Sequence, residues 1–159
     1  MTSRDKKLEK YLPSSASFQI DEFPFYWVAK LNALYSREME KTLKPLNMDI
    51  SRWRVAMLLR VHGDLSIKDI TEHALAKLPT ITKIVYKMRD EGLVDVQPSE
   101  LDGRVSIVSL TEQGRDKVEQ VRQQTHHLFT EAFSGMTETQ INRSTALLKK
   151  YFENLSEVE

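Results

Sequence analysis

The chain of 159 residues is 40% apolar and 29% charged, with five glycines, five prolines and no cysteine, a balance that suits a helix-rich globular fold and excludes global disorder. Without cysteine there is no disulfide framework, no thiolate zinc site and no thiol redox sensing, and no stretch approaches the roughly 20 apolar residues of a membrane span. The 23 basic and 23 acidic side chains cancel, so any cationic surface has to come from local clustering rather than from net charge.

The first fifteen residues, MTSRDKKLEKYLPSS, carry charges with no apolar run behind them. They do not read as a secretory signal, which points to a cytoplasmic protein. Residues 1–21 are polar and include Pro-Ser-Ser-Ala-Ser, the pattern of a flexible or loosely docked arm. Pro24 suits a first helical turn, and a helix is expected from there to about Leu43, before Pro45. Its apolar residues, Trp27, Val28, Leu31, Leu34, Tyr35, Met39 and Leu43, cover more girth than one partner can bury.

A second helix opens at Asp49 or Ser51, either of which can cap it. Ile50, Trp53, Met57 and Val61 follow helical spacing, Val55, Leu58 and Leu59 widen the buried face, and Gly63 ends it. Ser66 and Asp69 form an S-x-x-D capping pattern at the head of a short helix that buries Ile67, Ile70 and Ala74. The stretch KLPTITKIVYKMRDEGLV then places Ile81, Ile84, Val85 and Met88 at i, i+3, i+4 and i+7. Its opposite face carries Thr80, Thr82, Lys83, Tyr86 and Lys87, and Gly92 closes the helix.

The period then changes from helix to strand. Val94 and Val96 alternate with polar neighbours, the turn PSELDGR follows, and Val105, Ile107 and Ser109 alternate again, giving a two-stranded hairpin. Thr111 caps a long helix with Val118, Val121, Leu128, Phe129, Ala132 and Phe133 as its apolar positions. After a break at Ser134-Gly135, the T-x-x-Q box of Thr137 and Gln140 opens a last helix containing Ile141, Leu147, Leu148, Tyr151, Phe152 and Leu155.

A short capped helix, an amphipathic helix with a cationic outer face and a hairpin are the parts of a winged helix-turn-helix. One face of the second helix holds the core and the other is free to enter the major groove. Between Lys77 and Arg89 the charged residues are Lys77, Lys83, Lys87 and Arg89, with no acid among them. Thr80, Thr82 and Lys83 sit near the end that meets base edges, whereas Lys87 and Arg89 suit phosphates. Taken alone, such a face is also what an ordinary solvated helix presents. At the hairpin tip, Asp102 and Arg104 are two residues apart, so a salt bridge between them would aim the guanidinium outward, toward a narrow minor groove.

The run SIKDITEHALAKLPTITKIVYKMRDEGLVDVQPSELDGRVSIVSLTEQG resembles the winged helix-turn-helix of the MarR (multiple antibiotic resistance regulator) family. The resemblance rests on P-T-I-T-K leading to E-G-L-V, on D-G-R at the wing tip and on S-L-T-E-Q-G beyond it, and with the flanking helices it spans roughly residues 22–156. It implies a mainly α fold with a small hairpin wing: one domain over 22–159, with the winged helix-turn-helix at 49–110 and dimerisation helices at 22–44 and 111–157. It also implies a homodimer that binds double-stranded DNA as a transcriptional regulator, repression being the default.

The resemblance further implies release of DNA by a small aromatic or anionic effector, such as a phenolic acid or an aromatic acyl thioester. The candidate lining is Trp27, Leu31, Tyr35, Trp53, Met57 and Phe129, with Arg37 or Arg60 as charge partner, although aromatics at helical spacing usually serve as core. His126 and His127 are adjacent and point about 100° apart on a helix, a poor pair for one metal, so neither metal nor cofactor is expected. No Gly-rich phosphate loop, H-E-x-x-H or nucleophile elbow occurs, which argues against an enzyme. The alternative, a winged-helix module that binds protein, calls for an acidic or apolar outer face on residues 79–90.

Overall fold

The computed structural model describes residues 8–74 and 76–158, and its helices follow the capping and periodicity rules closely. Helix α1 spans Pro24–Leu43 with the proline in its first turn, and Lys44–Leu46 adds a 3-10 turn that ends at Asn47 in the left-handed region. Helix α2 is Ile50–His62. Asp49 caps it by accepting from the Arg52 N–H at 2.9 Å, and Gly63, at φ 80°, stops it. The strand β1, Leu65–Ser66, leads into α3, Ile67–Ala74. Its capping box is reciprocal: Ser66 Oγ accepts from the Asp69 N–H at 3.0 Å, and Asp69 Oδ2 accepts from the Ser66 N–H at 3.2 Å.

Helix α4 covers Leu78–Asp90, followed by β2, Val94–Pro98, and β3, Ser106–Leu110. Helix α5, Glu112–Ala132, and α6, Glu138–Ser156, complete the chain. Thr111 Oγ1 accepts from the Gly114 N–H at 2.9 Å at the head of α5, and Thr137 with Gln140 forms the expected capping box on α6. No helix among the described residues is long and apolar enough to cross a membrane.

The chain divides into two compact units, one ending at Val121 and one starting at Arg122. The first holds a single apolar core. Met39 and Leu43 of α1 enter it with Trp53, Val55, Ala56 and Leu59 of α2, Ile70 of α3, Ile81, Val85 and Met88 of α4, and Val118 and Val121 of α5. The second contains the end of α5 and all of α6, whose Leu147, Leu148, Phe152 and Leu155 are exposed.

Three features refine the sequence pattern. Of the arm expected over residues 1–21, residues 1–7 lie outside the described residues and residues 8–21 fold against the start of α1. Glu9–Tyr11 and Ile20–Glu22 form 3-10 turns, Lys10 pairs with Glu22, the Phe18 ring meets Phe23 edge-on at 5.4 Å, and the Trp27 indole N–H donates to the Asp21 carbonyl at 2.7 Å. The expected hairpin of β2 and β3 is present, and β1 pairs antiparallel with the other edge of β3, giving the order β1-β3-β2. That extra strand makes β3 central and changes which side chains are covered. Val108, paired with both Leu65 and Val96, is fully buried, whereas Val105 lies in the turn and is 36% exposed. Val61, expected on the buried face of α2, is exposed.

Candidate nucleic-acid interface

Helix α4 divides cleanly between core and solvent. Ile81, Val85 and Met88 are buried, Thr80, Lys83 and Lys87 are exposed, and Thr82 and Tyr86 are half-buried between the two faces. Leu78, Pro79, Thr82, Lys83, Tyr86 and Lys87 line an open groove along the outer face, closed at its far end by Asp90 and Glu91. Lys77, exposed, is the N-cap residue and makes no side-chain cap. The Thr82 hydroxyl donates to the Leu78 carbonyl at 2.8 Å. Arg89 is more engaged than a free phosphate ligand: it stacks over the Tyr86 ring at 4.6 Å and donates twice to Asp90 Oδ1, at 2.9 and 3.2 Å.

The wing approaches this helix from the side. A second cavity is lined by Leu78, Thr82 and Tyr86 of α4, by Ser66, Ile67 and Lys68 at the head of α3, and by Arg104, Val105 and Ser106 of the wing. It brings Arg104 and the outer face of α4 to one side of the unit. Lys68 joins them, a cation the sequence pattern missed, although its position two residues after the Ser66 cap was a usable signal. Asp102 does not hold the Arg104 guanidinium as expected. Its carboxylate accepts the Arg104 backbone N–H at 3.0 Å, because the turn in which Val105 N–H bonds the Asp102 carbonyl at 2.9 Å aims that amide inward.

Behind α4 lies an ionic cluster. Arg52, on the first turn of α2, is 6% exposed and donates to Asp49 Oδ2 at 2.9 Å and to Glu91, the C-cap residue of α4. Burial alone raises the Asp49 pKa, but the Arg52 backbone N–H and guanidinium outweigh it, with a further pull from Lys87, and hold the carboxyl below its ordinary value. Asp69 is likewise held low, chiefly by the Ser66 hydroxyl.

The effector candidates are only partly assembled. Trp53 and Met57 line a cavity of about 380 Å³ together with Arg54, Leu58, Val61, His62, His73 and Ala74. The cation there is Arg54, not Arg60 or Arg37. Arg60 lines a separate cavity with Asp64, Leu110 and Arg115, since it lies on the other side of α2, and Arg37 pairs with Glu38 at 3.1 Å. Trp27 and Leu31 are exposed on α1, Tyr35 is half-buried, and Phe129 is half-buried in the second unit. His62 and His73 stack with ring centroids 4.6 Å apart, joining the ends of α2 and α3.

Residues 46–105 match the sequence profile of the MarR family. The chain is 46% identical over 143 residues to the HTH-type transcriptional repressor IacR of Pseudomonas putida, an alignment that covers 90% of this chain and 86% of that protein. Its fold is similar to that of a mutant MarR from E. coli complexed with operator DNA, with a TM-score of 0.72 at 22% identity over 79% of this chain and 90% of that one. It is also similar to CouR from Rhodococcus jostii bound to p-coumaroyl-CoA, with a TM-score of 0.77 at 16% identity over 84% and 94%.

Proposed function

The chain belongs to the MarR family of DNA-binding transcriptional regulators, and from that premise we propose that it is a homodimeric repressor whose two α4 helices read a pseudo-palindromic operator. The observation that carries this reading is the shared cavity that brings Arg104 to the same side of the unit as Thr82, Tyr86 and Lys68. Thr80, Thr82 and Lys83 meet base edges in the major groove, while Lys77, Tyr86, Lys87 and Lys68 serve the phosphates and Arg104 enters the flanking minor groove. Arg89 contributes less to phosphate binding because Asp90 beside it offsets part of its charge. Repression follows from occupancy, as a bound dimer denies the promoter to transcription initiation.

Dimerisation is supported by apolar surface that each unit leaves uncovered. Trp27, Leu31 and Leu34 on α1, and Leu148, Phe152 and Leu155 on α6, are about half exposed or more, and a twofold partner is the usual cover for such faces. For the effector, the cavity beside Trp53 and Met57 offers an aromatic wall, a flexible thioether and the Arg54 cation, a set that suits a planar aromatic acid or its acyl thioester. It lies between α2 and α3, so a ligand that wedges the two apart disturbs the helix-turn-helix and releases DNA.

Selection of duplexes from a random pool at near-physiological salt tests the core of this reading. Enrichment of an inverted repeat with half-sites about one helical turn apart supports it. Retention that is independent of sequence, or no retention at all, refutes it. Titrating the complex with p-coumarate and with an aromatic acyl thioester, while following tryptophan fluorescence and duplex release together, tests the effector.

A further inference from the structure

The far end of the recognition helix is held by an interaction that spans 39 residues of sequence, from Arg52 to Glu91. Among the described residues, no other side-chain hydrogen bond ties α4 or its C-cap residue to another helix. Thr82, Tyr86 and Arg89 all bond or stack within α4 or onto its last residue, Asp90. The opposite end of α4 has no side-chain cap. Just beyond the C-cap, the Thr111 hydroxyl and N–H donate to the Gly92 and Leu93 carbonyls. Along the helix itself the remaining hold is the apolar contact of Ile81, Val85 and Met88, which is non-directional and permits small rotations.

Leverage makes the anchor matter. Thr80 lies 11 residues, about 16 Å, from Glu91 along the helix, so a tilt of about 5° at the Glu91 end moves Thr80 by about 1.4 Å. Bidentate contacts to base edges do not survive an error of that size, whereas contacts from flexible lysines to phosphates do. Arg52 suits the task because a buried, planar guanidinium can hold Asp49 and Glu91 at once in fixed directions, which an ammonium cannot. A buried ion pair contributes little net stability compared with apolar residues of similar size. Its main contribution here is a defined geometry.

We infer that Arg52 is a positioning residue for DNA reading: by clamping Glu91 against Asp49 it sets the tilt of α4 and thereby the sequence selectivity of the protein. The inference rests on the regulator reading above. The test compares wild type with the double variant Arg52→Met/Glu91→Leu, which replaces the pair by apolar side chains. Both are titrated, as full-length protein, with the enriched duplex and with a scrambled duplex of equal length across a range of salt.

The expected result is a folded variant that binds the scrambled duplex with unchanged affinity and salt slope but loses about tenfold or more of its preference for the enriched one. A folded variant with full preference overturns the inference, and so does an equal loss on both duplexes. If the double variant does not fold, Arg52→Lys, which keeps the charge but loses the rigid planar fork, is expected to lose part of the preference, and full preference in it likewise overturns the inference. A wild-type protein with no preference removes the regulator reading itself, and this inference with it.

Discussion

The Thr82 hydroxyl donates a hydrogen bond to the Leu78 carbonyl at 2.8 Å, one turn back along α4. What Thr82 then presents outward is a pair of acceptor lone pairs and a methyl group. Such a group matches the amino donor of adenine or cytosine, or the thymine methyl, and mismatches the acceptor edge of guanine. In the selected operator, the base pair read by Thr82 is therefore expected to show A, C or T on the contacted strand. Thr82→Val, which keeps the bulk and removes the oxygen, should relax preference at that one position by about 1–3 kcal/mol. Enrichment of guanine there, or a uniform loss at every position, would show that Thr82 does not read a base.

The wing-tip turn leaves the Arg104 guanidinium unpaired among the described residues, the Asp102 carboxylate accepting only the Arg104 backbone N–H. Arg104→Ala is expected to weaken operator binding by about 1.5–3 kcal/mol, the range of a charge-assisted contact, with sedimentation behaviour the same as wild type. Asp102→Ala should also weaken binding, because the turn that presents Arg104 loses its carboxylate. Equal affinity in both variants would remove the wing from recognition.

Gly114 sits where α5 passes the end of α4. A Cβ at this position would lie 2.0 Å from the Leu93 carbonyl oxygen, a backbone atom that also accepts the Thr111 N–H at 3.2 Å. Gly114→Ala is expected to cost about 1–3 kcal/mol or more in urea unfolding, as overpacking does. Gly103→Ala, where a Cβ meets nothing within 4 Å, should change stability by less than about 0.5 kcal/mol. A neutral Gly114→Ala would mean that α5 can move away from Leu93 at no cost.

Acid should loosen the same region. Asp49 and Asp69 are both held below the ordinary aspartate pKa of about 3.9. A carboxyl depressed in the folded state stabilises it at pH values above the unfolded pKa, and that contribution disappears as pH falls through the folded value. Unfolding free energy is therefore expected to be flat with respect to these two groups near neutrality and to drop below about pH 4. Asp49→Asn should cost about 1 kcal/mol at pH 7 through the weakened Arg52 bond and flatten part of the acid fall. An acid profile identical to that of the wild type would contradict the assigned role of Asp49.

Local signals in the sequence were reliable wherever the physics was local. The caps at Asp49, Ser66, Thr111 and Thr137, the stops at Gly63 and Gly92, and the Ile81-Val85-Met88 stripe each depend on atoms within about one turn, so spacing alone reveals them. The wing register was less legible. Val108 is buried because β1, a strand of two residues, arrives from over 40 positions upstream, and no alternation inside β3 announces that partner. Arg60 lines a different cavity from Trp53 and Met57 for a similar reason: a 3.6-residue period tells which residues share a face, but not which face a neighbouring helix will cover.

The order and ends of the helices, the position of the wing and the two-faced character of α4 were thus legible from spacing, because capping, turn geometry and amphipathic period act between near neighbours. Only the tertiary structure decided which charges are spent and which are available. Arg52 is consumed by Glu91, 39 residues away, Arg89 is drawn to Asp90, Asp102 turns to a backbone amide, and Lys68 is brought beside Arg104. Charges act over several ångströms in whatever direction the fold brings them, so their pairing is a property of packing, which sequence spacing does not encode.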